Sequence, residues 1–452
     1  MSTHPIAWSP LTRAYSTRAR LGGAVALATL GVARRGLAPA VAAGKTGQMG
    51  ETSVDVTTAI WQAPPDLSWQ QMAEAAWTSL RDRYYLPEFG LFREHDQPRG
   101  EDNAFSYLWP YCGVLSAANA LAAMPAGGEA YAEDLRSLLT NLEQYWDPDG
   151  LPPAYDSYVV EFGGGQKYYD DNEWLGLDFV TASRTLGDTS YLDKADAMLA
   201  FALSGWSDDL DGGIWWREGD RMTKNTCSNA PAAVLALMLY EETGDNATVE
   251  WATRILDWTA QLKDPATGVY FDHPRADGTV DRRKFTYNVG TPLHANALLF
   301  RITGEERYLM EARALAAASL DWFAPEATGV DGTDLPFFPN TPWFNAVLFR
   351  GYLALEAVDP APDRRYADAM LANVGYAWEH ARTDTNLFLA DWSGRVPDDD
   401  GYHWLLDQAP IVEICALAAS RRAEIEGKEA GAAEMDRRGN PPRLGKREMG
   451  SR

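Results

Sequence analysis

Apolar residues recur at helical spacing along most of this chain, and the pattern restarts about every sixty residues. Tight turns with Gly or Pro and an acid separate the apolar segments, at Gly127, Gly187, Gly244, Gly304 and Pro360. Short turns between helices make antiparallel neighbours, so each turn predicts a helical hairpin. The first helix is predicted to begin after Ser68, because Gln71 follows three residues later as in a capping box.

Long connections alternate with these turns and carry Gly, Pro, Asp and aromatic residues; they span roughly 147–170, 205–224, 263–286, 321–341 and 382–403. About twelve helices in six hairpins fit between Ser68 and Ala423, and no run of alternating strands interrupts them. The pattern predicts an all-α fold, an (α/α)6 toroid with its long loops on one face. A helical solenoid that does not close is the alternative, and closure is favoured because no capping repeats are evident.

Composition and charge narrow the functional classes. The 452 residues include 64 acidic and 40 basic side chains, and the net charge of −24 disfavours nucleic acid as a partner. Three distant cysteines and six scattered histidines show no ligand spacing. We therefore predict no metal, no cofactor and no disulfide framework, and expect a monomer.

Three regions are predicted along the chain. Residues 1–55 are an N-terminal extension, either disordered or a secretory signal, because basic residues precede an apolar stretch at 21–33 and small residues follow it. That stretch is too short to span a membrane. Residues 56–423 are the helical domain, and 424–452 are a disordered charged tail. The sequence favours export or the cell envelope and leaves a cytoplasmic location open.

Candidate chemistry centres on Asp170 and Asp171, which lie where a Gly-rich loop meets a predicted helix. A helix start carries partial positive charge and holds carboxylates well, so simple capping is the alternative role. Carboxyl groups on adjacent residues can lie about 5 Å apart, the separation found in retaining glycosidases. Two carboxyl groups this close disfavour the state in which both are ionised, so their pKa values move apart. The acid with the lower pKa would then be the nucleophile and the other the general acid.

Aromatic and amide side chains elsewhere in the long loops and at helix starts suit sugar stacking and hydroxyl recognition. Helix capping and core packing are the alternatives for each of them. The predicted substrate-binding residues are Asp102, Asn103, Tyr169, Trp174, Asp211, Trp215, Trp216, Asn225, Asn229, Tyr287 and Asn288.

Three motifs in order resemble glycoside hydrolase family 76, the endo-α-1,6-mannanases: YDDNEWLGL at 169–177, GGIWW at 212–216 followed by KNTCSNAP at 224–231, and FTYNVGTP at 285–292. The resemblance covers most of residues 68–423 and implies an (α/α)6 toroid. It implies that Asp170 is the nucleophile and that Asp171 is the general acid and then the base. Val289 departs from the Gln that relatives often carry there.

The leading hypothesis is therefore a retaining, endo-acting hydrolase of α-1,6-mannan, with an α-mannan oligosaccharide or polysaccharide as its partner. A sugar epimerase or isomerase on a similar toroid is a second hypothesis, with His273, His294 and His403 as proton carriers. A non-catalytic glycan-binding protein that keeps only the aromatic groove is the third.

Overall fold

A computed structural model describes residues 67–397 and 401–439 of the chain, with side chains through residue 430. This part of the chain contains twelve α-helices. Their bounds are Trp69–Tyr84 (α1), Leu108–Ala122 (α2), Ala132–Asn141 (α3), Tyr169–Leu186 (α4), Ser190–Ser204 (α5), Ala230–Thr243 (α6), Asn246–Thr259 (α7), Tyr287–Thr303 (α8), Glu306–Phe323 (α9), Pro342–Val358 (α10), Arg365–His380 (α11) and Leu405–Gly439 (α12).

The even-numbered helices form a closed inner ring. Helix α2 packs on α4, α4 on α6, α6 on α8, α8 on α10, α10 on α12, and α12 returns to α2. Each of the first five inner helices pairs with the outer helix that follows it, whereas α12 pairs with α1 from the other end of the domain. The predicted toroid is confirmed, and the open solenoid is wrong.

Burial follows this division into inner and outer helices. Inner helix α6 is buried without interruption from Ala230 to Leu239, because it is covered on all sides. Outer helix α7 buries only one stripe, which includes Ala252, Ile255 and Trp258. Helices α8 and α10 approach closely: a Cβ on Gly290 would lie 2.6 Å from the backbone of Leu348.

The predicted turns and caps are present. Ser68 and Gln71 form the capping box of α1: the Gln71 N–H donates to Ser68 Oγ at 3.2 Å, and the Ser68 N–H donates to Gln71 Oε1 at 2.8 Å. Gly187, Gly244 and Gly304 end their helices with positive φ angles of 65°, 72° and 69°. These short turns follow the inner helices, so the long loops gather at the N-terminal ends of the inner ring.

Four of the long loops contain a short antiparallel ribbon, which the sequence did not predict. The paired strands are Tyr85–Leu86 (β1) with Leu91–Phe92 (β2), Trp146–Asp147 (β3) with Ala154–Tyr155 (β4), His273–Pro274 (β5) with Val280–Asp281 (β6), and Glu326–Thr328 (β7) with Asp334–Pro336 (β8). In register, Trp146 faces Tyr155 and His273 faces Asp281. Strands of two or three residues are too short to give an alternating pattern.

The ends of the chain qualify the predicted boundaries. The structure continues as helix to Gly439, whereas the sequence analysis predicted a disordered tail from residue 424. Ala, Glu, Lys and Arg form helix well even where no large apolar group anchors it. The predicted extension at 1–55 and the tail beyond 439 lie outside the described residues. Within the described residues, no helix is both long and apolar enough to cross a membrane.

Candidate active site

Asp170 and Asp171 lie in the first turn of inner helix α4, at the end of the ring that carries the long loops. Both side chains are buried. The helix has no side-chain cap at Tyr168, so neither acid serves as an N-cap. The acids therefore occupy the positive end of a helix, where backbone N–H groups of the first turn also stabilise the Asp170 carboxylate.

The Asp170 carboxyl group is held by two donors on the same oxygen. Trp216 Nε1–H donates to Oδ2 at 3.2 Å, and the Cys227 thiol donates to Oδ2 at 3.1 Å. The other oxygen, Oδ1, is buried and has no hydrogen-bond partner among the described residues. Burial raises the pKa of Asp170 to about 6, while the bonds from Cys227 and Trp216 act to lower it.

Asp171 has a different environment. No described donor reaches its carboxyl group; Cys112 Sγ approaches only its main-chain oxygen, at 3.8 Å. Burial and the negative charge of Asp170 raise the pKa of Asp171 well above the ordinary range. Because only Asp170 has donors that stabilise its charge, the single negative charge belongs on Asp170 and the proton on Asp171.

A third acid lies one turn along the same helix. Glu173 is fully buried, and both of its carboxyl oxygens lack a hydrogen-bond partner among the described residues. Burial and then the charge of Asp170 raise the pKa of Glu173 well above the ordinary range. Glu173 is therefore a neutral group beside the acid pair.

Aromatic rings from the first turns of several inner helices pack together at this end of the ring. Trp174 meets Trp343 edge-on with centroids 4.9 Å apart, and Trp343 meets Trp109 at 5.5 Å. Tyr287 stacks on Phe344 at 4.0 Å. Tyr287 also interacts with the Cys227 thiol, so this aromatic cluster adjoins Asp170.

Trp215 and Trp216, both predicted to bind substrate, have different surroundings because neighbouring side chains in an extended segment point in opposite directions. Trp216 contacts Asp170 and packs on Tyr168 at 5.0 Å. Trp215 instead lies under the Lys224 ammonium group, 4.6 Å from it. Lys224 donates to the main-chain oxygens of the loop at Ser207, Asp209 and Gly212, so Trp215 packs against this loop.

Three of the four predicted asparagines, Asn225, Asn229 and Asn288, also differ. Asn229 uses its whole amide on the backbone: Oδ1 accepts from Ile214 N at 2.7 Å, and Nδ2 donates to Ile214 O and Asn225 O. Nothing remains to bind a sugar, so Asn229 positions the loop. Asn225 forms a capping box with Ser228, the capping role that was its alternative. Asn288 Oδ1 is buried without a partner among the described residues and keeps an acceptor available. Asn288 Nδ2 donates to Asp272 at 3.2 Å.

Four further predicted residues, one at the start of α4 and three in loops, have no described contact with the acid side chains. Tyr169 packs on Phe201 of outer helix α5 at 4.8 Å, because the first residue of α4 faces outward. Asp102 accepts from the Arg99 N–H and from Tyr402 Oη–H, each at 2.6 Å, and so joins the first and last loops; Asn103 follows it and contacts Tyr107. Asp211 is exposed, with φ 61°, and no described contact links it to the acid pair.

Two histidines of the second hypothesis each lie beside a neighbouring carboxylate, and the third lies among arginines. His273 Nδ1 lies 3.1 Å from Asp272, and His403 Nδ1 lies 3.3 Å from Asp96. Burial and three arginines lower the pKa of His294 to about 3, which keeps it neutral and makes it a poor proton carrier. These placements weigh against an epimerase.

One group of described side chains has the geometry to hold a metal ion. Ligand atoms of Asp272, His273 and Asp281 all lie within 4.8 Å of one another. Arg283 already pairs with Asp281 at 3.0 Å and with Asp272 at 3.5 Å. The guanidinium group supplies the positive charge that an ion would bring, so we assign no metal to this cluster.

The sequence reasoning missed two residues on the loop face, Cys227 and Glu94, whose contacts bear on the site. Cys227 lies inside a recognised motif, but a lone cysteine gives no sign that it donates to an acid. Glu94 accepts from Tyr107 N at 2.9 Å and from Trp404 Nε1 at 2.8 Å, and burial raises its pKa to about 7. A Glu in a loop carries no periodic signal, so only the fold reveals it.

Comparison with known proteins identifies relatives of this arrangement. A sequence profile described as Glycosyl hydrolase family 76 matches residues 68–426. The mannan endo-1,6-alpha-mannosidase DCW1 of Candida glabrata is 30% identical over 143 residues, which are 29% of this chain and 32% of that protein. The alignments span only 32% to 39% of the curated relatives' own lengths.

Solved structures match over most of the domain. The glycoside hydrolase family 76 mannosidase Bt3792 from Bacteroides thetaiotaomicron VPI-5482 superposes with a TM-score of 0.72 and 26% identity, covering 79% of this chain and 99% of that chain. An inactive variant of the α-1,6-mannanase GH76A of Salegentibacter sp. HEL1_6, in complex with α-1,6-mannotriose, gives a TM-score of 0.64 and 27% identity, covering 78% and 99%. Two consecutive aspartates are replaced by asparagine in that variant.

Proposed function

Since the chain belongs to glycosyl hydrolase family 76, we propose that it is a retaining, endo-acting hydrolase of α-1,6-mannosidic linkages in a mannan-type polysaccharide or glycolipid. The similar structures described as a mannosidase and as an α-1,6-mannanase support this substrate class. A neutral polymer also suits a surface that carries a net charge of −24, since it is not repelled.

Each acid has one role in the proposed reaction. The Asp170 carboxylate attacks the anomeric carbon while Asp171 transfers its proton to the departing glycosidic oxygen, which gives a covalent mannosyl-enzyme. Asp171, now ionised, takes a proton from water, and that water displaces Asp170 from the sugar. The second displacement restores the configuration at the anomeric carbon and returns both acids to their starting states.

The unequal environment of the two acids is the observation that carries this assignment. Trp216 and Cys227 both donate to Asp170, whereas no described donor reaches the Asp171 carboxyl group. A nucleophile must be ionised and a general acid must be protonated at the same pH. The donors around Asp170 support that distribution of one proton between two buried acids.

The inactive mannanase variant adds support, because its two substitutions fall on consecutive aspartates. The described part of this chain has one other such pair, Asp208 and Asp209. Their side chains are 95% and 56% exposed, which is unsuitable for a reaction that needs a proton held near neutral pH. Asp170 and Asp171 are the buried pair.

The proposed substrate contacts are the predicted residues that border the acid pair or belong to the aromatic cluster beside it. Asn288 offers an unpartnered, buried Oδ1 atom to a sugar hydroxyl group. Trp216 borders Asp170 directly, and Trp174 and Tyr287 belong to the adjoining aromatic cluster. We do not count Tyr169, Trp215, Asn225 or Asn229 among the substrate contacts, because their side chains are engaged in packing, capping or loop contacts.

The decisive test is release of oligosaccharides from linear α-1,6-mannan by the purified protein. We expect Asp170→Asn and Asp171→Asn each to lower kcat by at least about a hundredfold, the scale of losing a positioned acid or base. Asp208→Asn is the matched control and should keep full activity, because its side chain is exposed.

Proton NMR of the first product formed tests retention separately, and the α-anomer is expected. Full activity in either Asp170→Asn or Asp171→Asn would overturn the roles assigned here. Interconversion of free mannose without polymer cleavage would instead support an epimerase, and binding without turnover would support a glycan-binding protein.

Export or attachment to the cell envelope remains part of the proposal, supported by the signal-like pattern between Arg13 and Ala43. A polymeric substrate also fits an enzyme that acts outside the cytoplasm.

A further inference from the structure

The geometry around Asp170 assigns a role to Cys227: we propose that its thiol is a positioning residue that fixes the orientation and ionisation of the nucleophile. With Trp216 it holds Oδ2, so that Oδ1 is the oxygen that attacks the sugar. This inference rests on the proposed function and deepens it, because it identifies the reacting atom and the group that presents it.

The hydrogen bonds distinguish the two oxygens of Asp170. Oδ2 accepts from Cys227 Sγ at 3.1 Å and from Trp216 Nε1 at 3.2 Å, and these donors occupy its lone pairs. Oδ1 is buried and has no partner among the described residues. An attacking oxygen needs an unoccupied lone pair, so Oδ1 is the available nucleophile, and the Oδ2 bonds prevent the two oxygens from exchanging places.

Both donors come from rigid segments of the loop face. Cys227 lies in the short helical turn Thr226–Ser228, where Thr226 Oγ1 donates to Phe271 O at 2.8 Å. Asn229 joins that turn to Ile214, two residues before Trp216, through bonds of 2.7 and 3.0 Å. Because the two segments are pinned to each other, the two donors keep a constant spacing around Oδ2.

Cys227 remains a donor because it keeps its proton. Burial, and then the negative charges of Asp170 and Asp272, raise the pKa of the thiol well above its usual range. A thiolate at this position would repel the carboxylate it contacts. The titratable groups that face this pair from the surrounding elements are Asp171 and Glu173 on α4, Cys112 on α2, Tyr168 before α4, Tyr287 on α8 and Asp272 in the preceding loop.

The test compares Cys227→Ala with Cys227→Ser. Removing a donor to a charged group raises the pKa of Asp170 by about one unit, because the ionised form loses a hydrogen bond. The acid limb of kcat/KM should therefore move up by about one pH unit in Cys227→Ala. From an Asp170 pKa of about 6, the variant should be about fivefold slower at pH 6 and nearly equal to the parent at pH 8.

Cys227→Ser restores an O–H donor and should return the acid limb close to that of the parent. Cys415→Ala is the matched control: it removes another fully buried thiol, on α12, and should leave the pH profile unchanged. If Cys227 were merely structural, its two variants would lower the melting temperature without moving the acid limb.

A second measurement does not need turnover. Infrared difference spectra of the Asp170 carboxyl, taken against Asp170→Asn, should show its titration about one pH unit higher in Cys227→Ala than in the parent. Identical titrations in the two proteins would overturn this inference even if the enzyme hydrolyses mannan. A shifted titration in a protein inactive on mannan would support the inference and remove only the proposed function.

Discussion

At the level of single residues, three buried acids within four positions of one helix have been given different environments. Asp170 has two side-chain donors, whereas the carboxyl groups of Asp171 and Glu173 have no side-chain donor among the described residues. Three buried charges so close together would repel one another strongly, and burial penalises each of them. The arrangement therefore holds one negative charge and two protons near neutral pH.

Glu173 provides the first test of this charge distribution. If it stays protonated throughout the reaction, then Glu173→Gln replaces one neutral group with another. We expect kcat on α-1,6-mannan to stay within about twofold of the parent, in contrast to the roughly hundredfold loss expected for Asp171→Asn. A loss of similar size in Glu173→Gln would mean that Glu173 transfers a proton in the reaction.

The same substitution should change how stability depends on pH. The pKa of Glu173 is raised in the folded state, so above the unfolded pKa of about 4.3 the unfolded chain releases a proton that the folded chain keeps. Above about pH 4.3, the free energy of unfolding of the parent therefore falls as pH rises, by up to about 1.4 kcal/mol per pH unit, until Glu173 ionises in the folded state. Glu173→Gln removes that loss, so its advantage in urea unfolding should grow from about pH 4.3 upward. Glu250→Gln, at an exposed position on α7, should show no such trend.

At the level of elements, buried side-chain amides tie the long loops to the helices. Asn172 brackets Tyr155, accepting from its N–H at 2.9 Å and donating to its C=O at 3.1 Å. Gln408 brackets Phe388 in the same way at 2.7 and 2.9 Å. Asn229 does so for Ile214. Short ribbons and irregular loops have few internal partners, so these amides satisfy backbone groups that burial would otherwise leave unpaired.

Asn229→Ala tests whether such a tie also shapes the active site. It leaves the buried N–H of Ile214 without its acceptor and the C=O of Ile214 with only the longer bond from Ser228 Oγ at 3.3 Å, which should cost about 2 kcal/mol in urea unfolding. It should also lower kcat/KM on α-1,6-mannan about tenfold, because Trp216 and Cys227 lose their fixed spacing around Asp170.

Asn373→Ala is the matched control for that experiment. Asn373, on outer helix α11, accepts from Phe338 N and donates to Pro336 O and Ala369 O, which reproduces the three bonds of Asn229. A similar stability loss with unchanged kcat/KM is expected. If both variants lost activity equally, the effect would be one of general stability and not of the position of Trp216.

The asparagines and tyrosines also show where sequence reasoning stops. The position of the acid pair could be predicted, because a dense motif joins a Gly-rich loop to a helix start. The direction of each neighbouring side chain could not, since Tyr169 and Asp170 are adjacent yet face opposite sides of α4. An Asn near a helix start satisfies a loop backbone as readily as a sugar hydroxyl, and only the tertiary contacts of Asn229 distinguish the two.

At the level of the whole molecule, closure depends on pairing the two ends of the domain. Five hairpins are local in sequence, and their Gly turns and helical periods made them predictable. The sixth pair joins α1 to α12, and Tyr84 Oη donates to His403 O at 3.1 Å across more than three hundred residues. The sequence indicated closure only through the absence of capping repeats, because a contact between distant segments leaves no local pattern.

Two truncations test the unequal importance of the chain ends. Helix α1 buries Trp69, Met72, Trp77, Leu80 and Tyr84. At about 2 kcal/mol for each large side chain, their loss amounts to about 10 kcal/mol, comparable to the whole stability of a typical domain. A chain that begins at residue 85 should therefore show no cooperative thermal unfolding and no mannan hydrolysis.

A chain that ends at residue 427 should behave in the opposite way. It keeps Arg421, which pairs with Glu356 at 2.9 Å and Asp368 at 2.7 Å, and it removes a helical extension whose side chains are exposed through residue 430. Its melting temperature should lie within about 2 °C of the full chain, since exposed helix adds little to stability. If the chain that begins at residue 85 unfolded cooperatively and cleaved mannan, the ring would fold without α1. The pairing of α1 with α12 would then not be required for stability.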